Sequence, residues 1–194
     1  VEIEQEKCKY LINGAIKYLL KQEIDRTKFN SFFPSWAVES EEKLTGSRLG
    51  WCYGDLGIAV TLWQAGEALK NSSWTVKAIE VLKYAATRKD LQANVVADAG
   101  LCHGTAGIGH IFYRMWWNTR LPEFKEAADY WFNETLKMAV HSDGLAGYKA
   151  WHGGENSGWV NEVGLLEGVA GIGLALMTYH YEMEPTWDEC LLLS

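Results

Sequence analysis

Three side chains in this 194-residue sequence have the types that a metal ion needs: Cys52, Cys102 and His103. Two thiolates and one imidazole suit zinc. A set of three leaves a fourth coordination position for water or a substrate, which is the arrangement of catalytic rather than closed structural sites. Two thiolates against one divalent ion bring the formal charge close to neutral, and a nearby helix N-terminus favours the thiolate form of each cysteine. Singly, the residues say little. A lone buried Cys is usually an inert small apolar residue, and an adjacent Cys-His pair is a weak pattern. The argument for a shared ion is positional, and it rests on the elements that carry them.

Those elements repeat. Gly50-Trp-Cys-Tyr-Gly54-Asp-Leu-Gly57-Ile, Gly100-Leu-Cys-His-Gly104-Thr-Ala-Gly107-Ile and Gly164-Leu-Leu-Glu-Gly168-Val-Ala-Gly171-Ile place Gly at positions 1, 5 and 8 and Ile at 9. The repeat motifs thus occupy 50–58, 100–108 and 164–172. Cys52 and Cys102 both take position 3, and His103 takes position 4 of the second copy. After each motif comes a stretch that is apolar on nearly every side, 56–69, 106–117 and 169–181, as a helix buried all round would be. Amphipathic stretches alternate with these. Residues 73–88 carry Ala78, Ile79, Leu82 and Ala86 on one face, with Ser72 or Ser73 available as N-cap. Residues 122–140 turn Phe124, Ala127, Ala128, Trp131 and Val140 inward, with Pro122 in the first turn. Residues 3–21, carrying Leu11, Ile12, Ala15, Ile16 and Leu19, read as another outer helix, and a last one begins near Pro185. Two loops, about 23–50 and 141–163, have room for short strands. The prediction is an all-α chain, an (α/α) toroid or part of one, in which repeat-equivalent loops bring Cys52, Cys102 and His103 to one end.

Composition narrows the function classes. A net charge of −7 and the absence of a basic cluster argue against nucleic acid, which is held by displacing counterions from phosphates. No apolar run reaches the roughly 20 residues that span a bilayer, and no signal-peptide pattern is present, so the cytoplasm is the expected compartment. Four cysteines are too few for a disulfide scaffold; Cys8 and Cys190, outside the repeated frame, read as structural. Ten Trp among nineteen Gly and three Pro suit helices with large side chains filling the gaps.

The motifs Arg48-Leu-Gly-Trp-Cys-Tyr-Gly54, Leu101-Cys-His-Gly104-Thr-Ala-Gly107 and Leu165-Leu-Glu-Gly168-Val-Ala-Gly171 resemble the signature repeats of lanthionine synthetase C-like proteins, over about residues 40–182. The resemblance implies a toroid of seven hairpins, of which residues 1–194, a single domain fragment, supply about half. It implies one zinc per chain on Cys52, Cys102 and His103. It also maps the family's active-site arginine onto Arg48 and matches Tyr53; without it Arg48 reads as a solvated surface residue and Tyr53 as a core aromatic. The implied activity is a cyclase reaction in the biosynthesis of lanthionine-containing peptides: a Cys of a dehydrated precursor peptide adds to a dehydroalanine or dehydrobutyrine to form a thioether, with a Ser/Thr dehydratase as a further partner.

The acid that completes this reaction is missing from the motifs. The family's His and Asp precede the first Cys ligand and would lie before Val1, so the chain is expected to bind zinc while being incomplete for catalysis. His141 and His152, in the long loop, could reach the mouth; His110 reads as packed, and Asp55 and Glu167 as helix-terminus charges. A zinc protein that holds a small thiol such as glutathione without cyclising peptides is the alternative. A carbohydrate-active barrel fits less well, because no carboxylate pair emerges and the Cys, Cys, His set would be unexplained.

Overall fold

The computed structural model describes residues 4–37, 44–155 and 157–194. Helix α1 spans Gln5–Leu20, the one-turn α2 Arg26–Phe29, α3 Gly54–Leu69, α4 Ser72–Thr87, α5 Thr105–Thr119, α6 Pro122–Lys137 and α7 Val169–His180. Strands β1 (Ala150–His152) and β2 (Gly158–Val160) form an antiparallel hairpin, and a 3-10 segment covers Thr186–Leu191. Among the described residues the fold is all-α apart from that hairpin and the isolated bridges Pro34–Gly46 and Leu145–Tyr148.

Two layers result. Helices α3, α5 and α7 lie side by side with α5 between the others, while α4 backs α3, α6 backs α5, and α4 touches α6. Helix α1 packs on the first hairpin, where Ile16 is buried with Leu62, Ala65, Trp74 and Ala78. The alternation of inner and outer helices is therefore as the periodicity predicts. Burial on every side holds for α5, whose residues from Thr105 to Met115 are all buried. It does not hold for α7, where Leu174 and Met177 are exposed. The reason is position: α5 has neighbours on both flanks and α7 on one.

Several boundaries differ from expectation. Helix α4 begins at Ser72 itself, so Asn71 is its N-cap, its side chain accepting from Ser73 N at 3.2 Å. Helix α6 ends at Lys137, which leaves Val140 beyond it and exposed rather than inward. Leu11 is exposed on α1, whose buried stripe runs through Ile16 instead; residues 1–3, which include its expected start, lie outside the described residues, as does part of the first long loop, 38–43. The segment after Pro185 is a 3-10 turn drawn against α5, not an outer helix. Asp188 accepts from Arg114 Nη2 at 2.8 Å and Nε at 3.0 Å and pairs with His110 Nε2 at 2.8 Å, all buried. Satisfying that carboxylate outweighs the formation of another regular helix.

The glycine frame has a steric cause. At position 8, an added Cβ would lie 2.2 Å from Trp51 O at Gly57, 1.9 Å from Leu101 O at Gly107, and 1.9 Å from Leu165 O at Gly171. In each copy the carbonyl of position 2 is folded onto the first turn of the helix, and only glycine admits that approach. Position 5 caps the helix with extended backbone at Gly104 and Gly168, but Gly54 departs, with φ +57 and its missing Cβ space filled by the Ser47 side chain.

Candidate metal centre

The three loops that open α3, α5 and α7 are laced together by their backbones. Trp51 N donates to Cys102 O, and Cys102 N donates to Leu166 O, both at 2.8 Å. Within a loop, Gly104 N bonds Gly100 O and Thr105 N bonds Asp98 O, and the third copy repeats this with Gly168 N to Gly164 O and Val169 N to Glu162 O. Equivalent positions therefore lie next to one another at one end of the inner helices. Position 3 supplies Cys52 and Cys102, and position 4 supplies Tyr53, His103 and Glu167.

The donor atoms of Cys52, Cys102 and His103 lie within 4.8 Å of one another. Cys52 Sγ is 3.9 Å from His103 Nδ1 and 3.7 Å from Cys102 O. A tetrahedral ion with bonds of about 2.3 Å to sulfur and about 2.0 Å to nitrogen would set S···N near 3.6 Å, so a single ion can be reached from all three with small side-chain adjustment. The electrostatics suit a cation as well. The hydrogen bond from the Cys102 thiol lowers the Cys52 pKa to about 7, against the cost of burial and with help from the Arg48 charge. The same bond pushes the Cys102 thiol upward. The lowering at Cys52 comes first from the Cys102 contact, not from the helix N-terminus expected to favour both thiolates.

On one side of the cluster lies a cleft of about 600 Å³ lined by Arg48, His103, Trp151, His152 and Glu167, among others. Arg48 is half-buried; its Nη2 donates to Val95 O, while its sheltered Nε has no hydrogen-bond partner among the described residues. On the other side, Cys52 and Tyr53 line a groove of about 370 Å³ with Leu19, Leu191 and Leu192. The Tyr53 ring meets Trp36 edge-on at 5.5 Å. The structure therefore places Arg48 and Tyr53 on opposite flanks of the three donors.

Other residues flagged from sequence separate cleanly. His152 enters the cleft from β1, whereas the His141 ring lies tilted against Trp159, 4.6 Å away. His110 is buried, as expected, in the Asp188 network. Asp55 is more than a helix-terminus charge: it is fully buried, 3.1 Å from Arg88, and accepts from Phe32 N and Phe33 N at 3.0 and 2.9 Å. Cys8 and Cys190 are both exposed, not packed in the core.

Sequence reasoning missed Asp98. Its Oδ1 accepts from Gly100 N at 3.0 Å and its Oδ2 from Trp151 N at 2.8 Å, tying the β hairpin to the loop that carries Cys102 and His103. A signal existed, since Arg48, Asp98 and Glu162 all stand two residues before the first glycine of a motif.

The fold has a counterpart among known proteins, and the sequence has relatives. The nisin biosynthesis protein NisC of Lactococcus lactis subsp. lactis is 29% identical over 150 residues, which is 75% of this chain and 31% of that protein. A solved nisin cyclase superposes with a TM-score of 0.58 at 24% identity, covering 81% of this chain and 34% of that one. The chain spans about a third of the length of these relatives. A family model described as "Lanthionine synthetase C-like protein" matches residues 2–192. On that match the chain belongs to the lanthionine synthetase C-like protein family.

Proposed function

We propose that this chain carries the zinc centre of a lanthionine cyclase, with Cys52 Sγ, Cys102 Sγ and His103 Nδ1 holding one zinc ion in residues 1–194 acting as a single domain. The observation that carries the reading is the convergence of these three donor atoms within 4.8 Å in a member of this family. Bound there with one position open, zinc would take a substrate thiol and lower its pKa, supplying thiolate at neutral pH.

The chain's own groups account for much of the rest. A thiolate that adds to the β-carbon of a dehydroalanine or dehydrobutyrine sends negative charge to the neighbouring carbonyl oxygen, and preorganised donors stabilise such charge. Arg48 lines the cleft with its guanidinium held by Val95 O, so its positive charge stands ready for that oxygen. Tyr53, on the opposite flank, bounds the groove along which a peptide could leave the cluster. A dehydrated precursor peptide is the substrate, and a Ser/Thr dehydratase is the enzyme class that makes it.

The alternative, a small thiol such as glutathione held without cyclisation, is less well served by the charges. The cleft lining sets Glu167 against the single guanidinium of Arg48, with Glu162 close to His152, whereas a small anionic thiol needs an excess of cations.

Loading the 194-residue chain with cobalt in place of zinc and titrating a Cys-containing dehydrated peptide tests the reading. Sulfur-to-metal charge-transfer absorption should rise when the peptide thiol binds and should stay unchanged with the Cys→Ser peptide. No metal uptake, or uptake without response to the peptide thiol, would overturn it.

A further inference from the structure

The two flanks of the metal donors differ in chemistry. On one side the cleft wall carries Arg48, His103, His152 and Glu167. On the other, the groove of about 370 Å³ has no Asp, Glu, Lys, Arg or His in its lining, in a chain with 25 acidic and 18 basic residues. Leu19, Trp51, Tyr53, Leu191 and Leu192 wall it, and Cys52 is both wall and metal donor. The volume lies at the low end of the range for ligand pockets, about 300–1,000 Å³. It has room for side chains rather than for a folded partner.

One wall comes from the segment after Pro185, and that wall is built. Asp188 ties the segment to Arg114 and His110 in the core, and Trp187 Nε1 donates to Thr178 Oγ1 at 2.8 Å. Leu191 and Leu193 are buried, whereas Leu192 between them is 80% exposed. The backbone at Leu192 is left-handed, with φ +56, a conformation that bulky residues adopt at a cost. The bond from Leu192 N to Glu189 O at 3.0 Å helps to hold it there. A single exposed leucine is ordinary on any surface. This one is pinned between two buried neighbours and lines a groove that begins at a metal donor.

We infer that the groove is a specificity subsite. It takes an apolar side chain of the peptide next to the cysteine, on the side away from the dehydro residue, and Leu192 is the residue that selects it. The inference rests on the cyclase reading above, which sets the carbonyl of the dehydro residue against Arg48. A peptide whose thiol is held by the three donors has one arm toward Arg48. Its other arm starts beside Cys52, where the walls hold no partner for a charge. A charged side chain loses water there without compensation, whereas a leucine gains by removing apolar surface from water.

The test uses the cobalt-loaded 194-residue chain and cysteine peptides with alanine in place of the dehydro residue, so that binding is read without reaction. The neighbour of the cysteine, on the far side, is Leu, Gly or Asp. The wild type should bind the Leu peptide about tenfold more tightly than the Gly peptide, with the Asp peptide weakest. Leu192→Asn, which suits a left-handed backbone, should shrink the Leu preference while leaving cobalt uptake, far-UV dichroism and affinity for the Gly peptide unchanged. Leu192→Lys should raise affinity for the Asp peptide above that for the Gly peptide. Equal affinities for all three peptides on the wild type, with the thiol response intact, would overturn the subsite and leave the cyclase reading standing. So would a Leu preference that survives in Leu192→Asn. A dimer in sedimentation that Leu192→Asn dissolves would overturn it too, by giving the groove to a second copy of the chain. Absence of any thiol response would overturn both readings.

Discussion

Replacing Asp55 with alanine should destabilise the chain by about 4 kcal/mol, because one small side chain satisfies three buried donors. Its carboxylate is 0% exposed and faces Arg88 Nη1 at 3.1 Å, with the Arg88 side chain 3% exposed. It also accepts from Phe32 N and Phe33 N. Truncation leaves a buried guanidinium with Asn94 Oδ1 at 2.9 Å and Ser47 O at 2.5 Å but no counter-charge. Breaking a buried ion pair by removing one partner costs about 3–5 kcal/mol. Two orphaned amides would add about 1–3 kcal/mol each if they stayed dry. The contributions overlap, since the 31–33 turn can open and let water in, so the sum is capped near the ion-pair figure. Against a typical domain stability of about 5–15 kcal/mol, that is a large share. Urea unfolding measures it: with a slope of about 2 kcal/mol per M, the midpoint should fall by about 2 M. Asp55→Asn keeps an acceptor for the two amides and should fall by less. An Asp55→Ala midpoint within about 0.3 M of wild type, with the slope unchanged, would refute the claim that this pair ties the first motif loop to the helices behind it.

Other outcomes follow from the same structure. Gly107→Ala should unfold the second motif and abolish metal binding, because its Cβ would sit 1.9 Å from Leu101 O; Gly173→Ala, with nothing within 4 Å, should be neutral or stabilising by about 0.4–1 kcal/mol in thermal melts. Stability should fall as pH drops below about 6.5, the ordinary value for His110, since burial depresses its pKa despite the bond to Asp188 and the unfolded chain then binds the extra proton. Urea midpoints across pH 5–8 should show this slope in wild type and a weaker one in His110→Gln. Asp188, held below its ordinary range because the His110 and Arg114 contacts outweigh the opposing effect of burial, should add a second loss as pH falls below about 4. A profile flat from pH 8 to 5 would contradict the buried neutral imidazole.

The repeated glycines were the legible part of this molecule, because their cause is local. A carbonyl folded onto the next helical turn needs glycine six residues later, and that spacing appears in the sequence three times. Once the loops are equivalent, adjacency of Cys52, Cys102 and His103 follows, as does the alternation of inner and outer helices. What stayed hidden depends on contacts distant in the chain. The β hairpin has no glycine frame, and only its hydrogen bond to Asp98, 53 residues away, brings His152 to the cleft. The inward course of the segment after Pro185 is set by Arg114 and His110, more than 70 residues earlier. Asn71 rather than Ser72 caps α4 because a shift of one residue satisfies the first turn equally well. Val140 had the right spacing for the α6 core face, but the helix ends three residues before it.

The most direct measurement is zinc per chain by elemental analysis, on wild type and on Cys52→Ala, Cys102→Ala and His103→Ala purified alongside it. One zinc per wild-type chain, falling steeply in each variant while far-UV dichroism stays helical, is the predicted result. Wild type with no zinc, or Cys102→Ala retaining a full equivalent, would contradict the claim that these three donors share one ion.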